Sequence, residues 1–488
     1  MEEKAIRGVK WTIASYAVNR GIRTLSTVAL ARLLVPEDFG LMALALITLA
    51  LVNVFTDLGL GGVLVIRPDL DVRGKGTVLT LMLGTGGLGA ALVAAASPLA
   101  AKLLGDPRVT PVIAVLALTL VINVFAWFYE TLMQRELEFR KIFASKAVST
   151  TAYVAIAITL AASGAGVWSL VAAEVSAGLV MAAVLLSLAP YRVRPAFDRD
   201  QARGVFSSGW GFLVQGGLGV VSDNIDRLII GRVLGAAPLG FYTMAFRIGD
   251  LPYQALGHPV AMVTFPSFAR MKERGEDVGS AFLSAVRLVA LVSCPVGILL
   301  SAAADPFTRL VFGEKWLPMI GVLAVLGIWA ALRSLLYTTS WLLNSVGRPR
   351  LLALVSGLML VPFIPGAILA AGYGGIEEVA WVAVASSAIS TLVLSVFAAR
   401  STAIAPGRYW RALRPVILAC PPCWLAGRVA ADAMQATGSV PALAASAAAG
   451  LAAYAAVVFL LEPGLLKRFP GQIRRVVSRT QAPAGGGA

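Results

Sequence analysis

The chain has 488 residues, of which 58% are hydrophobic and 14% charged, with a formal net charge of +15. About a quarter of the residues of a soluble domain are charged, so this composition excludes a water-soluble fold. The bases fall in short gaps between apolar runs, which excludes a nucleic-acid surface, and three Cys with one His exclude a disulfide framework or a His/Cys metal site.

Apolar runs of about 20 residues can each cross a bilayer as one helix. They predict about fourteen helices, near 11–34, 40–66, 76–101, 109–131, 143–163, 166–189, 205–231, 238–265, 281–304, 317–343, 350–372, 376–399, 412–430 and 440–461. The fold class is an all-α polytopic membrane protein. The opening "MEEKAIRGVKW" leads into a full-length span, so this segment is expected to be retained rather than cleaved as a signal peptide.

The first span carries Arg20 and Arg23, three residues apart and on one helix face with Thr24 and Thr27. No acid lies within a turn of them. A charge at the bilayer centre costs roughly 2.5–3.5 kcal/mol on insertion scales, so both must face protein or water. Three arrangements satisfy this. They supply a fixed positive field in a wet cavity, where guanidinium forks suit phosphate oxygens. They pair with acids on neighbouring helices, such as Asp57 or Asp226. Or Arg20 snorkels to the cytoplasmic surface.

Further along, Asp57 lies deep in the second span and Glu174 in the sixth. Each is a proton or cation candidate, or a partner for the arginines. "GTGGLG" at Gly84 has no strand before it and reads as helix packing rather than nucleotide binding. In the seventh span, "VVSDNIDRLIIGRVLG", Asp223 and Arg227 are four apart with the acid first, the order that favours an internal ion pair. Asp226 is then the surplus charge, available for a coupling cation or for an arginine across the cavity. Arg247 in the eighth span is a cavity candidate, although Asp250 lies within a turn. Arg287 is close enough to the cytoplasmic end to snorkel, while Arg333 is a tenth-span cavity candidate. His258 reads as packed or interfacial, and "CPPC" from Cys420 as a kink rather than a redox site. Pro252, Pro259, Pro295, Pro362 and Pro365 are expected bend points.

Alternate gaps hold nearly all the loop bases, among them "QRELEFRKIFASK" and "YRVRPAFDRDQARG", and both termini belong to that set. The basic side is the cytoplasmic one, so both termini are expected there. The low-complexity end "QAPAGGGA" is expected to be disordered.

"ARLLVPEDFGLMA" after the first span aligns with "GRVLGAAPLGFYT" after the seventh, with Arg32, Leu34 and Gly40 matching Arg232, Leu234 and Gly240. A weaker echo links "LMQRELEFRKIFAS" to "LNSVGRPRLLALVS". The two segments follow helices that run in the same direction, so the expected repeat is parallel: two six-helix units around a central cavity, plus two C-terminal helices. The corresponding divisions are an N-terminal lobe at 1–189, a cytoplasmic linker at 190–204, a C-terminal lobe at 205–399, two added helices at 400–461 and a basic tail at 462–488.

"ARLLVPEDFGLMALA", "FTDLGLGGVLVIRPD" and "LMQRELEFRKI" resemble the polysaccharide-export and oligosaccharide-lipid flippases, of the O-antigen and colanic-acid type. These belong to the multidrug/oligosaccharidyl-lipid/polysaccharide (MOP) exporter superfamily. The resemblance covers most of the chain. It implies translocation of undecaprenyl-pyrophosphate-linked repeat units from the cytoplasmic to the periplasmic leaflet of a bacterial inner membrane, for surface polysaccharide. It implies that the first and seventh helices line the cavity, and that polymerase or co-polymerase neighbours exist. On this reading Arg20, Arg23, Arg247 and Arg333 face the pyrophosphate, and Asp57, Glu174, Asp223, Asp226 and Arg227 form a coupling or charge network. No cofactor or metal is expected, and coupling to a H+ or Na+ gradient stays open. The alternatives are a lipid II-type flippase with nearly the same mechanism and a cation-coupled drug exporter, against which the arginines argue. A membrane polymerase or ligase would need acid/base groups on a sizeable loop at one face, and the periplasmic gaps are short.

Overall fold

The computed structural model describes residues 2–57, 64, 71–189, 192–402 and 404–463. Among them the regular structure is helical throughout, with no strand. Contacts divide the chain into two compact units, Met1–Gly240 and Phe241–Ala488.

The first unit holds α1 (Glu2–Leu33), α2 (Pro36–Asp57), α3 (Val72–Leu104), α4 (Val109–Leu116), α5 (Leu118–Arg135), α6 (Phe139–Ala162), α7 (Val167–Leu188) and α8 (Arg199–Val233). It also holds the start of α9 (Ala236–Gly249). The ends follow from local chemistry. Asp71 caps α3 by accepting the Gly74 N–H at 2.6 Å. Gly105 then stops that helix in the left-handed region, at φ 81°, where a side chain would strain. α4 and α5 together make one predicted span, broken only at Ala117. α1 packs on α6, α6 on α7 and α7 on α5, while α2 lies against α3 and α8.

The starts of α2 and α9 cross at two glycines. A Cβ on Gly40 would overlap the Ala236 carbonyl, and one on Gly240 would overlap the Pro36 carbonyl. Only hydrogen fits at either place, which lets backbone approach backbone as small residues do between membrane helices.

The second unit continues from α9 into a π-helical turn, Tyr253–Gly257, and then α10 (His258–Glu273), α11 (Val278–Ala302) and α12 (Ala304–Val311). After a 3-10 turn at Glu314–Met319 come α13 (Ile320–Ser345), α14 (Pro349–Tyr373), α15 (Ile376–Ser401), α16 (Pro406–Met434) and α17 (Ser439–Leu461). Its core joins α11, α13, α15 and α16 around Phe282, Val286, Leu342 and Val416. The Cys294, Cys420 and Cys423 thiols belong to this apolar cluster.

Eleven helices among the described residues are long and apolar enough to cross a membrane. They coincide with eleven of the fourteen predicted spans. The first and seventh predicted spans fall on α1 and α8, and the eighth on α9, the π turn and α10. The bends are distributed differently from expectation. The chain interrupts the eighth span after Pro252 and restarts it with Pro259 in the first turn of α10. Pro295, Pro362 and Pro365 sit inside unbroken helices.

Candidate functional site: a polar pocket in the first unit

Four helices of the first unit each place polar residues at helical spacing on one face. α1 gives Asn19 and Arg23, α5 gives Thr119 and Asn123, α6 gives Lys146, Ser149 and Thr150, and α7 gives Glu174 with Ala177 and Gly178. Spacings of three and four residues put each set on a single stripe. The stripes enclose a pocket of about 290 Å³. Gly178 permits the close packing of α7 on α5, since a Cβ there would come within 3.1 Å of the Ile122 side chain.

Part of the lining is committed to the fold. Thr150 donates to the Asn19 amide oxygen at 2.9 Å, tying α6 to α1. Ser149 donates to the Ala177 carbonyl at 2.8 Å, tying α6 to α7. The Lys146 ammonium sits 2.6 Å from the Glu130 carboxylate. Three groups are left. Among the described residues the Asn123 amide and the Glu174 carboxylate have no hydrogen-bond or ion-pair partner. Arg23 makes only a face contact with Tyr153, at 5.2 Å from the ring centre. Asn123 and Arg23 are exposed and Glu174 is half-buried, so their polar atoms open onto the pocket. The pocket is therefore a place for water or for ligand polar groups.

Arg20 lies half-buried on the same helix but is not part of the pocket lining, and its Nε is buried without a hydrogen-bond partner. The Thr27 hydroxyl, expected beside the arginines, is turned to the Arg23 carbonyl at 2.8 Å instead.

The charges of α8 pair differently from the sequence expectation. The Asp226 carboxylate lies 3.8 Å from the Arg227 guanidinium. Asp223 contributes its main-chain oxygen to the guanidinium. Asp226, the expected surplus charge, is thus the partner, because the adjacent carboxylate also caps the Arg227 N–H at 2.8 Å. Asp57 ends α2, and its side chain, like that of His258, lies outside the described residues; so does the expected disordered tail.

In the second unit Asp250 pairs not with Arg247 but with Arg333 of α13, at 3.1 Å. The Arg333 guanidinium also lies 4.4 Å from the Trp329 ring, 4.7 Å from Tyr337 and 5.5 Å from Phe246. Gln254 of the π turn donates to the other Asp250 oxygen. Arg333 is thereby held in a box of one carboxylate and three aromatic faces. Arg247 is exposed. Arg287 pairs with Glu462, just beyond α17, rather than reaching the surface alone.

A second pocket, of about 350 Å³, lies within this unit between α9, the π turn, α11, α12 and α17. Its lining is almost wholly apolar, with Ile248, Leu251, Val296, Leu299, Phe307 and Leu443 among it.

The model of the polysaccharide biosynthesis protein family matches residues 29–321. The chain belongs to that family. Among curated relatives of the family, it is 29% identical to the teichuronic acid biosynthesis protein TuaB of Bacillus subtilis, over 80% of this chain and 81% of that one. It is 27% identical to the lipopolysaccharide biosynthesis protein WzxC of Escherichia coli, over 68% of each chain. In fold it is similar to the lipid II flippase MurJ in an inward closed conformation, with a TM-score of 0.76, 11% identity, and coverage of 94% of this chain and 100% of that one. An inward-facing multidrug MATE transporter of the MOP superfamily gives a TM-score of 0.66 at 14% identity, over 80% and 98%. This member of the polysaccharide biosynthesis family therefore has the fold of those MOP-superfamily structures, with eleven helices among the described residues long and apolar enough to cross a membrane.

Of the residues singled out in the sequence, the structure brings Arg23 and Glu174 into one pocket and joins Asp226 to Arg227. Asn19, Asn123, Lys146, Ser149 and Thr150 were not singled out. Their signal is present as i, i+3 and i+4 polar stripes on otherwise apolar helices, which no single residue displays. Lys146 was read with the basic loop, yet α6 begins at Phe139 and carries it two turns into the helix.

Proposed function

We propose that the protein moves a polyprenyl-diphosphate-linked oligosaccharide from the cytoplasmic to the periplasmic leaflet by alternating access, for surface polysaccharide synthesis. The observation that carries this reading is the state of Arg20 and Arg23. Both lie on α1, which packs against α6, and neither has a carboxylate partner among the described residues. A guanidinium kept charged and unpaired at that depth is stabilised when an anion arrives, and a diphosphate offers paired oxygens to each fork. The head cannot cross hydrocarbon unaided, because its hydroxyls and phosphates would lose water without replacement. A polar pocket with Arg23 at its edge supplies replacements. The separate apolar pocket beside α17 suits a prenyl chain.

The parallel repeat of two six-helix units is part of this proposal. It is supported by the reciprocal crossing in which Gly40 meets Ala236 and Gly240 meets Pro36, since the 200-residue offset of the sequence echo relates Gly40 to Gly240 and Pro36 to Ala236. Both termini are placed in the cytoplasm by the distribution of loop bases. Coupling to H+ or Na+ is assigned to the acids of α2 and α8, Asp57, Asp223 and Asp226.

A lipid II-type substrate is the second reading, favoured by the likeness in fold to MurJ. The deciding experiment is a deletion strain assayed for lipid-linked intermediates by leaflet. Repeat units accumulating on the cytoplasmic leaflet, with lipid II distribution unchanged, are the expected result. Unchanged surface glycan overturns the proposal, and stalled lipid II transfers it to the second reading.

A further inference from the structure

Resting on that reading, we infer that the pocket of the first unit is a sugar subsite. It receives the single pyranose next to the diphosphate, with Asn123 and Glu174 bonding its hydroxyls while Arg23 holds the adjoining phosphate.

The chemistry of the lining selects this ligand class. Lys146 is neutralised by Glu130 at 2.6 Å, and Arg23 and Glu174 oppose one another in sign across the same pocket. The four charges cancel, so the pocket favours neither a free cation nor a free anion. Among the described residues no group of His, Cys, Asp and Glu could hold a metal ion. What the lining offers in surplus is hydrogen bonding. The Asn123 amide supplies two donors and an acceptor, and the Glu174 carboxylate supplies acceptors, with no partner for either among the described residues. A carboxylate and an amide facing a neutral ligand suit the vicinal hydroxyls of a sugar, each of which both donates and accepts.

Size points the same way. A pocket of 290 Å³ has room for on the order of ten waters, about one pyranose ring with its hydroxyls rather than an oligosaccharide. Arg23 fixes which sugar that is. It is exposed at the pocket while stacked on Tyr153, so a phosphate on its guanidinium would be bonded to the ring in the pocket. The Thr150 to Asn19 and Ser149 to Ala177 bonds hold three of the four walls in register, so the subsite is preformed.

The test uses the full-length protein in nanodiscs. Geranyl diphosphate is compared with geranyl diphosphate linked to glucose, galactose or N-acetylglucosamine. At least one conjugate should bind tenfold or more tightly than the bare diphosphate. Asn123→Ala and Glu174→Gln should each remove most of that increment without weakening binding of the bare diphosphate. Arg23→Ala should weaken bare and sugar-bearing ligands alike. Thermal midpoints within a few degrees of the parent show that the variants are folded. If the bare diphosphate binds and no sugar adds to it, or if the increment survives both substitutions, the subsite is wrong and the flippase reading stands. If Glu174→Gln instead abolishes a Na+- or pH-dependent step with the increment intact, the carboxylate belongs to ion coupling and the inference falls. If no diphosphate binds, both the reading and the subsite fall together.

Discussion

Arg23 and Arg333 look alike in the sequence, each a cation inside an apolar run, yet their surroundings are opposite. Arg333 has a carboxylate at 3.1 Å and aromatic faces within 5.5 Å, and its side chain is 16% exposed. Arg23 has one aromatic contact and a pocket. The first arrangement satisfies the charge inside the fold, and the second leaves it to be satisfied from outside. An intramembrane arginine is therefore a functional candidate only after its acid has been looked for on every neighbouring helix, not on its own turn alone.

The largest effect that could break this contrast is on stability. Arg333→Ala should destabilise the folded state by about 3–5 kcal/mol, because Asp250 is left buried and uncompensated. Replacing both, as Arg333→Met with Asp250→Leu, should recover most of the loss, read as the melting midpoint in detergent. A lone Arg333→Ala with normal melting and no export would move Arg333 into the substrate machinery.

Arg23→Ala should do the reverse. Export of surface glycan is expected to fall roughly ten- to a hundredfold, the cost of losing charge-assisted bonds worth about 1.5–3 kcal/mol, with stability changed by less than about 0.5 kcal/mol. Arg23→Lys keeps the charge without the fork and should retain part of the export. Equal loss of abundance and export in Arg23→Ala would erase the distinction between the two arginines.

Lys146→Met tests an intermediate case, a pocket cation that is paired. The Lys146 side chain is 42% exposed, so breaking its bridge to Glu130 should cost about 1 kcal/mol or less. A drop in export as deep as that of Arg23→Ala would show that Lys146 also meets the substrate.

The smallest effect concerns a charge outside the membrane. Asp277 caps α11, accepting from the Ser280 hydroxyl and from its N–H at 3.0 Å, and these bonds hold its carboxyl below the usual range. A depressed carboxyl contributes its stability above the ordinary value near 4 and loses it as pH falls through the lowered one. Asp277→Asn should thus cost about 1 kcal/mol or less at neutral pH and flatten the acid limb of the melting curve.

The helical spans, their order and the deep arginines were readable in the sequence, because spanning length and hydropathy are local properties. Partner choice was not. Arg333 takes Asp250 from another helix, and no spacing rule links the two. The Asp223 to Arg227 spacing suggested an internal pair, but the neighbouring Asp226 carboxylate lies within 3.8 Å and takes the role. The pocket residues Asn123 and Thr150 were invisible for the same reason: an isolated amide or hydroxyl gains meaning only from what the facing helix places beside it. Gly40 and Gly240, by contrast, were found from their shared offset, since a site that admits nothing but hydrogen leaves the same letter in both halves of the chain.

At the start of α2 and of α9, Gly40 and Gly240 bring main chain directly against the facing carbonyl. Main chain resting on main chain leaves no gap at either position to take up an added atom. Even one methyl group added at Gly40 or Gly240 would act as a wedge, driving the starts of the two helices apart.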